Sequence, residues 1–314
     1  VTLDTVEAFP ERYGHVLADM LVAEYGPGWP DGESGDRLRA RIREIKDSYL
    51  RREAVEYDDQ TALCYTLYHL PAYYATAQYV LADLAADGLV PASPTVLDVG
   101  AGVGGPALGL CDLFPEDALV TYDAVEPSAA ANVLDRFLEE TGRNVHVNVH
   151  RTTAEKFEPD RTYDVVLFSN VLNELDDPAG VVGRYADALA EDGSIVALEP
   201  ADRNTATGLR AIERTVEGTA GLTVYEPTAR LWPGKTPTSE CWSFTTRPDL
   251  EPPAFQHRLD EGERSSSLAA QEREPGDGEF VNVDVQYAYG VWRHDTGTRI
   301  GYRPDGGRVA KMAN

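Results

Sequence analysis

Residues 95–110 read TVLDVGAGVGGPALGL. An apolar, β-branched run (TVLDVG, 95–100) passes through glycines into a helical stretch (GGPALGLCDLF, 104–114). Gly100, Gly102 and Gly105 satisfy G-x-G-x-x-G, and Gly100, Gly102 and Gly104 satisfy G-x-G-x-G. A turn of this kind brings backbone N–H groups and a helix N-terminus up to a ligand. The glycines alone do not choose between a dinucleotide, another nucleoside-bearing cofactor and a bare tight bend. Asp98 narrows the choice, because a carboxylate inside an apolar strand needs a partner. That partner is either a ligand ammonium or the N–H groups of the turn itself. Glu126 follows at the end of the next apolar run, 21 residues after Gly105, where a carboxylate can accept both hydroxyls of a ribose. No second phosphate-binding device appears. Asp98, Glu126 and Glu155 suit a cationic, phosphate-free ligand, which favours S-adenosylmethionine over NAD.

Outward from this turn, short β-branched runs alternate with helical stretches. Strands are expected at 118–126, 144–150, 162–170 and 194–200, with helices at 127–142 and 176–193. This alternation predicts an α/β fold with a doubly wound parallel sheet, whose strand C-termini lie along one edge. A further helix follows Pro200 (NTATGLRAIERTVEGTAG). Antiparallel strands are expected at 240–247, 254–259, 280–295 and 299–303, and a flexible loop at 260–279. Before the turn, residues 3–25 and 37–56 are expected to be helices, with Leu17, Met20, Leu21 and Tyr25, and Leu38, Ile42 and Ile45, at helical spacing. Residues 61–86 suggest a helical pair broken near Pro71. The tyrosines there either pack a core or line a cofactor entrance. The division is an N-terminal helical region (1–92), a cofactor-binding domain (93–250) and a small β-rich extension (251–314).

The chain has 314 residues, with 53 acids against 28 bases and a net charge of −25. Only four bases are lysines; 24 are arginines. Acid excess with little lysine suggests a surface adapted to molar salt. Screening is short-ranged in such a medium, so net charge does not exclude an RNA partner. Six arginines lie between Arg37 and Arg52 (37, 39, 41, 43, 51 and 52), forming either a solvated helix face or a platform for RNA phosphates. No apolar run is long enough to span a membrane. The opening VTLDTVEAFPERYG has no basic segment ahead of an apolar core, so no secretory leader is expected. Three scattered cysteines, Cys64, Cys111 and Cys241, imply neither a disulfide framework nor a zinc site. A reducing, cytoplasmic location is the expectation.

Taken together, VLDVGAGVGG, VEPS (125–128), TTAEKF (152–157), YDVVLFSNVLNEL (163–175) and LAEDGSIVALEP (189–200) resemble, in order and spacing, the class I S-adenosylmethionine-dependent methyltransferases. The resemblance covers about 95–225. It implies a Rossmann-like seven-stranded sheet ending in an antiparallel hairpin. It places Asp98, Gly100 and Gly102 at the methionine end of the cofactor, with Ala101, Gly104 and Pro127 in the same cradle. Glu126 falls at the ribose, Ala154 and Glu155 near the adenine, and Asn170 and Val171 at the methyl-transfer face. Asn170, Asn173 and Glu174 are the polar candidates for catalysis, although Glu174 also suits a helix N-terminus. His69 and Tyr65 could approach from the N-terminal helices.

LPAYYATAQYVLADL, SNVLNEL, GLRAIERT and ECWSF are also similar to the mitochondrial-type small-ribosomal-subunit methyltransferase-like family. That family implies S-adenosylmethionine binding, small-subunit assembly and an iron–sulfur cysteine set. Here only Cys241 remains of the set, beside Trp242, and LWPGKTPTSE (231–240) has no cysteine, so no metal is expected. His69 replaces the family's arginine before LPA. No D/N-P-P-Y/F motif or strand-end cysteine marks base methylation. The leading expectation is a methyltransferase acting on rRNA or the small ribosomal subunit. The alternatives are a small-molecule acceptor, or a non-catalytic S-adenosylmethionine-binding assembly factor. A basic patch formed by Arg37–Arg52 with Arg203, Arg210 and Arg214 would favour the RNA role or the non-catalytic factor, and a closed apolar cavity over Asn170 a small acceptor.

Overall fold

The computed structural model describes residues 3, 5, 8–51, 53–227, 241–248, 250–266, 278–298 and 308–312. Five parallel strands, β1 (Thr95–Val99), β2 (Val120–Val125), β3 (Val145–His150), β4 (Tyr163–Ser169) and β5 (Leu189–Pro200), carry the first half of an open sheet. β6 (Thr223–Glu226), β7 (Cys241–Arg247), β8 (Val285–Arg293) and β9 (Arg308–Met312) complete it. The order is β3-β2-β1-β4-β5-β8-β7-β9, with β6 pairing to β8. The α/β doubly wound architecture is as the sequence predicts, with nine strands among the described residues where seven were expected. β8 lies antiparallel to β5, from Ile195 opposite Trp292 to Pro200 opposite Tyr287. β6 and β7 share its other edge. The strand order reverses between β1 and β4, and the crevice at their C-terminal ends is where such sheets bind ligands.

Both faces of the sheet are covered, which is why its strands are nearly continuous apolar runs. Val96, Tyr122 and Leu167 join one core with Leu81 and Leu84 of α3 (Asp59–Ala86) and Leu110 of α4 (Gly105–Leu113). Leu97, Val166 and Phe168 join the opposite core with Val182 and Tyr185 of α6 (Pro178–Ala186) and Leu209 and Val216 of α7 (Arg203–Thr219). A third core binds the N-terminal helices to this body. It joins Leu17 and Leu21 of α1 (Glu11–Tyr25), Leu38, Ile42 and Ile45 of α2 (Gly32–Arg51), and Phe137 of α5 (Ala130–Leu138). Phe255 and Leu259 of α8 (Ala254–Ser266) close it.

Several expectations change. α1 begins at Glu11 and α2 spans Gly32–Arg51. α6 stops at Ala186, and β5 takes the chain from Leu189. Residues 254–259 are helical because Phe255 and Leu259 are buried one helical turn apart, and so are Gln256, Asp260 and Glu263. Pro252 and Pro253 precede that helix, and Gln256 N donates to Pro253 O at 2.9 Å. The expected loop is therefore helix as far as Ser266. Residues 267–277, 231–240 and 299–303 lie outside the described residues.

The expected helical pair at 61–86 is one helix. Pro71 has no N–H for the Leu67 carbonyl, and its ring pushes that carbonyl aside. The fully buried Gln256 makes up the loss, with Nε2 donating to Leu67 O at 3.0 Å and Tyr68 O at 3.1 Å. Asn282 Nδ2 also donates to Tyr68 O at 2.5 Å. Residues that arrive late in the chain thus stabilise the proline step of α3. Among the described residues, no helix is long and apolar enough to cross a membrane.

Candidate active site

β1 ends at Val99, and the turn follows in conformations that favour glycine: Gly100 at φ 77°, Gly102 at 55° and Gly104 at 93°. Gly100 N and Ala101 N both donate to Val125 O, at 2.8 and 3.0 Å, folding the turn across the end of β2. A Cβ on Gly100 would lie 2.5 Å from Val171 Cγ2, and one on Gly104 2.4 Å from Leu134 Cδ1. A Cβ on Gly102 would meet nothing within 4 Å. The turn therefore packs at its two ends and is open in the middle, ahead of the N-terminus of α4.

Glu126 ends β2 and is 7% exposed. Its Oε2 accepts from Gly102 N at 2.9 Å, and its Oε1 accepts from Ser128 N at 2.9 Å and Ser128 Oγ at 2.5 Å. Asn170, just past β4, is the one non-glycine residue with positive φ (57°) among the described residues. Its N–H donates to Leu198 O at 2.7 Å. Such a conformation is costly for asparagine and recurs at functional sites.

These elements border a cleft of about 290 Å³ at the C-terminal edge of the sheet. Gly100, Ala101, Gly102, Glu126, Pro127, Ala154, Glu155, Asn170, Val171 and Glu174 all line it. Three carboxylates therefore face a space whose lining includes no lysine, arginine or histidine. Burial, with Glu126 nearby, pushes Glu174 up to about 7, although Glu174 keeps contact with solvent, which moderates the effect. Tyr57, Tyr65 and Tyr73 form the wall toward the N-terminal helices. The tyrosine-rich helix thus supplies both core and lining.

Three predicted residues lie elsewhere. Gly104 packs beneath the turn against Leu134. Asn173 is exposed on the 3₁₀ turn Leu172–Glu174 and lines neither this cleft nor its neighbour. Asp98 is fully buried in β1, outside the cleft lining. Its Oδ2 accepts from Tyr122 Oη at 2.7 Å, so its protein partner is a phenol and not the turn. Its Oδ1 has no partner. Burial, with Glu126 nearby, pushes Asp98 up to about 7 against the pull of Tyr122.

A second cavity, of about 200 Å³, adjoins the cleft between α3, β5 and β8. Tyr73 and Asn170 border both spaces. His69, Glu199 and Asn282 line the second one. His69 stacks on Tyr73 with ring centroids 5.5 Å apart. Sequence reasoning passed over Glu199. Its signal was the one that marked Asp98: an acid within an apolar strand, here SIVALEP.

The methyltransferase-domain family matches residues 67–252, a span that contains the glycine turn, both carboxylate positions and Asn170. The chain belongs to that family. It is an S-adenosylmethionine-dependent methyltransferase whose acceptor the family leaves open. The match is to this broad family. None of the curated proteins matches it in sequence.

Solved structures similar to the methyltransferase include the plantazolicin methyltransferase in complex with S-adenosylhomocysteine, at 11% identity over 91% of this chain and 98% of that one, with a TM-score of 0.41. A sugar N-methyltransferase from Streptoalloteichus sp. is 21% identical over 46% and 54% of the two chains, with a TM-score of 0.34. An amino pentose methyltransferase from Micromonospora echinaspora is 18% identical over 49% and 54%, with a TM-score of 0.33. At such identities and scores, the acceptors of those enzymes say nothing about the acceptor here.

The cleft fits the cofactor. Gly102 leaves open space where a side chain would stand, three carboxylates suit a sulfonium and an ammonium group, and Asp98 carries an unpartnered oxygen beneath the turn.

Proposed function

We propose that the methyltransferase binds its donor in the cleft over Gly100–Gly105 and methylates a small molecule seated in the adjoining cavity. One observation carries this reading: Asn170 and Tyr73 border both spaces, so donor and acceptor would meet there. When bound, S-adenosylmethionine supplies an activated methyl group, and the protein's part is positioning and charge placement. Ala101 and Gly102 present backbone to the methionine end. Glu126, already fixed by Gly102 N and Ser128, turns toward the ribose hydroxyls. Ala154 and Glu155 border the adenine, with the Ala154 carbonyl held by Tyr185 Oη at 2.7 Å. Asp98 acts from beneath the turn, its unpartnered oxygen favouring a cation above it.

A free basic patch of Arg37–Arg52, Arg203, Arg210 and Arg214 would favour the rRNA and small-subunit reading. Arg39 is 1% exposed and donates to Pro30 O at 2.8 Å, Leu259 O at 3.1 Å and Asp36 at 2.7 Å. Arg41 pairs with Glu44, and Arg43 with Glu263 and Glu279. Arg51 lies 3.7 Å from Asp47, and buried Arg210 pairs with Glu213. Arg39, Arg43 and Arg210 serve the fold and leave Arg37, Arg51, Arg203 and Arg214 as the exposed remainder of the patch among the described residues, on two separate helices, which favours the small acceptor over RNA and over a non-catalytic assembly role. The acid excess and sparse lysine support a salt-rich cytoplasm as the setting.

Calorimetry of S-adenosylmethionine binding at molar salt tests the donor site. Transfer of a labelled methyl group into the RNA, protein and small-molecule fractions of a cell extract tests the acceptor. Label in the small-molecule fraction is expected; label in RNA alone would return the ribosomal reading.

A further inference from the structure

The lining of the second cavity is selective. Its ionisable groups are Glu199, Asp284 and His69 with the tyrosines, and neither lysine nor arginine is among the lining residues. Glu199 is 2% exposed. Its Oε1 accepts from Leu172 N at 3.0 Å, and its Oε2 is buried with no hydrogen-bond partner. His69 Nε2 is likewise buried and unpartnered. Burial, reinforced by Lys46, lowers His69 to about 3, so its ring is a neutral imidazole. A buried carboxylate oxygen without a donor is costly, and a ligand that brings N–H groups removes the cost. Tyr68, Tyr73 and Tyr287 add aromatic rings, of which Tyr68 already carries Lys46 Nζ 4.5 Å from its centroid, outside the lining. A carboxylate or phosphate acceptor would meet two carboxylates and no cation within the lining. An alcohol brings one donor and no charge. An amine brings several N–H donors and, as ammonium, a charge opposite to that of the lining.

We propose that the methyl acceptor is a small amine whose ammonium group is received by Glu199, and that Glu199 is the base that frees its nitrogen. The inference rests on the donor and acceptor assignment above. The Glu199 carboxylate takes one proton from the ammonium. The lone pair so freed forms the new N–C bond to the methyl carbon. The C–S bond of S-adenosylmethionine breaks, and its electron pair passes to sulfur, leaving a neutral thioether. The product departs as an N-methylammonium, and Glu199 returns its proton to solvent. Burial, with Glu174 and Asp202 nearby, pushes Glu199 up to about 8, which narrows its gap to an alkylammonium. Asn170 and Tyr73, at the junction of the two spaces, set where nitrogen and methyl meet.

The experiment incubates the full chain with S-adenosylmethionine carrying a deuterated methyl group and a protein-free extract of the source cells. Products are read by mass spectrometry. The expected result is a small molecule that gains the labelled methyl on nitrogen. Glu199→Gln keeps an oxygen for Leu172 N but removes the base. It is expected to lower kcat about 100-fold, with cofactor affinity by calorimetry unchanged and a melting temperature no lower than that of the parent protein. Label on oxygen, sulfur or carbon overturns the proposal while leaving the small-acceptor reading intact. So does a Glu199→Gln effect confined to KM. Label only in RNA or protein, or no transfer despite cofactor binding, overturns both.

Discussion

Gly102 and Gly104 share a left-handed backbone yet differ in what surrounds them, and that difference separates binding from stability. A Cβ at Gly102 enters open space, whereas one at Gly104 lies 2.4 Å from Leu134 Cδ1. Gly102→Ala is therefore expected to cost about 1–2 kcal/mol for the backbone alone and to weaken S-adenosylmethionine binding through the group it adds beside the turn. Gly104→Ala meets a buried leucine as well, so it is expected to melt lower than Gly102→Ala. Thermal melts and calorimetry on the two variants check this. Glu126→Ala removes the acceptor of Gly102 N and the assigned ribose ligand together. Hydrogen bonds to charged groups are worth about 1.5–3 kcal/mol, so cofactor affinity is expected to fall at least about tenfold, measured by calorimetry at fixed salt.

At the scale of elements, the proline step of α3 couples distant parts of the chain. Gln256→Ala leaves the Leu67 carbonyl short of a donor inside the protein, while Tyr68 O keeps Asn282 Nδ2, at about 1–3 kcal/mol for the unsatisfied group. Pro71→Ala restores an N–H for Leu67. The cost of Gln256→Ala is therefore expected to shrink in the Pro71→Ala background, a coupling that denaturant melts of the four proteins would read. The same element shows what a sequence conveys. The glycine turn, Glu126 and Asn170 were legible because each follows a strand at fixed spacing, and the strand pattern alone puts those ends on one edge. α8 was misread because AFQHRL is too short to separate a period of 2 from one of 3.6. Glu199 carries a signal in SIVALEP, but its cavity is not legible, because the opposite wall is β8, which joins the sheet some ninety residues later in the chain. Pro71 was taken for a break because the residue that compensates for it is Gln256.

For the whole molecule, buried acids set the response to pH. Asp98 and Glu199 are buried and pushed up to about 7 and 8, well above the usual carboxylate range. In each case the folded state holds its proton more tightly than the unfolded state. Below the unfolded values both states are protonated and nothing is lost. As pH rises through that window the unfolded chain ionises first, so these groups draw down stability until about pH 8. The unliganded protein is expected to melt progressively lower from pH 5 to pH 8. Because the donor is a cation, it is expected to raise the melting temperature more at pH 8 than at pH 6. Equal stabilisation at both would contradict the electrostatic account.

The placement of β8 also bears on how the enzyme is assembled and how it could diversify. The cleft proposed to hold the donor is lined entirely by residues between Tyr57 and Leu175, whereas the neighbouring cavity draws on Asn282 and on Asp284–Tyr287. During synthesis, every residue that lines the donor cleft emerges before any part of that cavity's far wall exists. Over evolutionary time, exchanging one C-terminal strand could change what is methylated while the machinery that holds the methyl donor stays as it is.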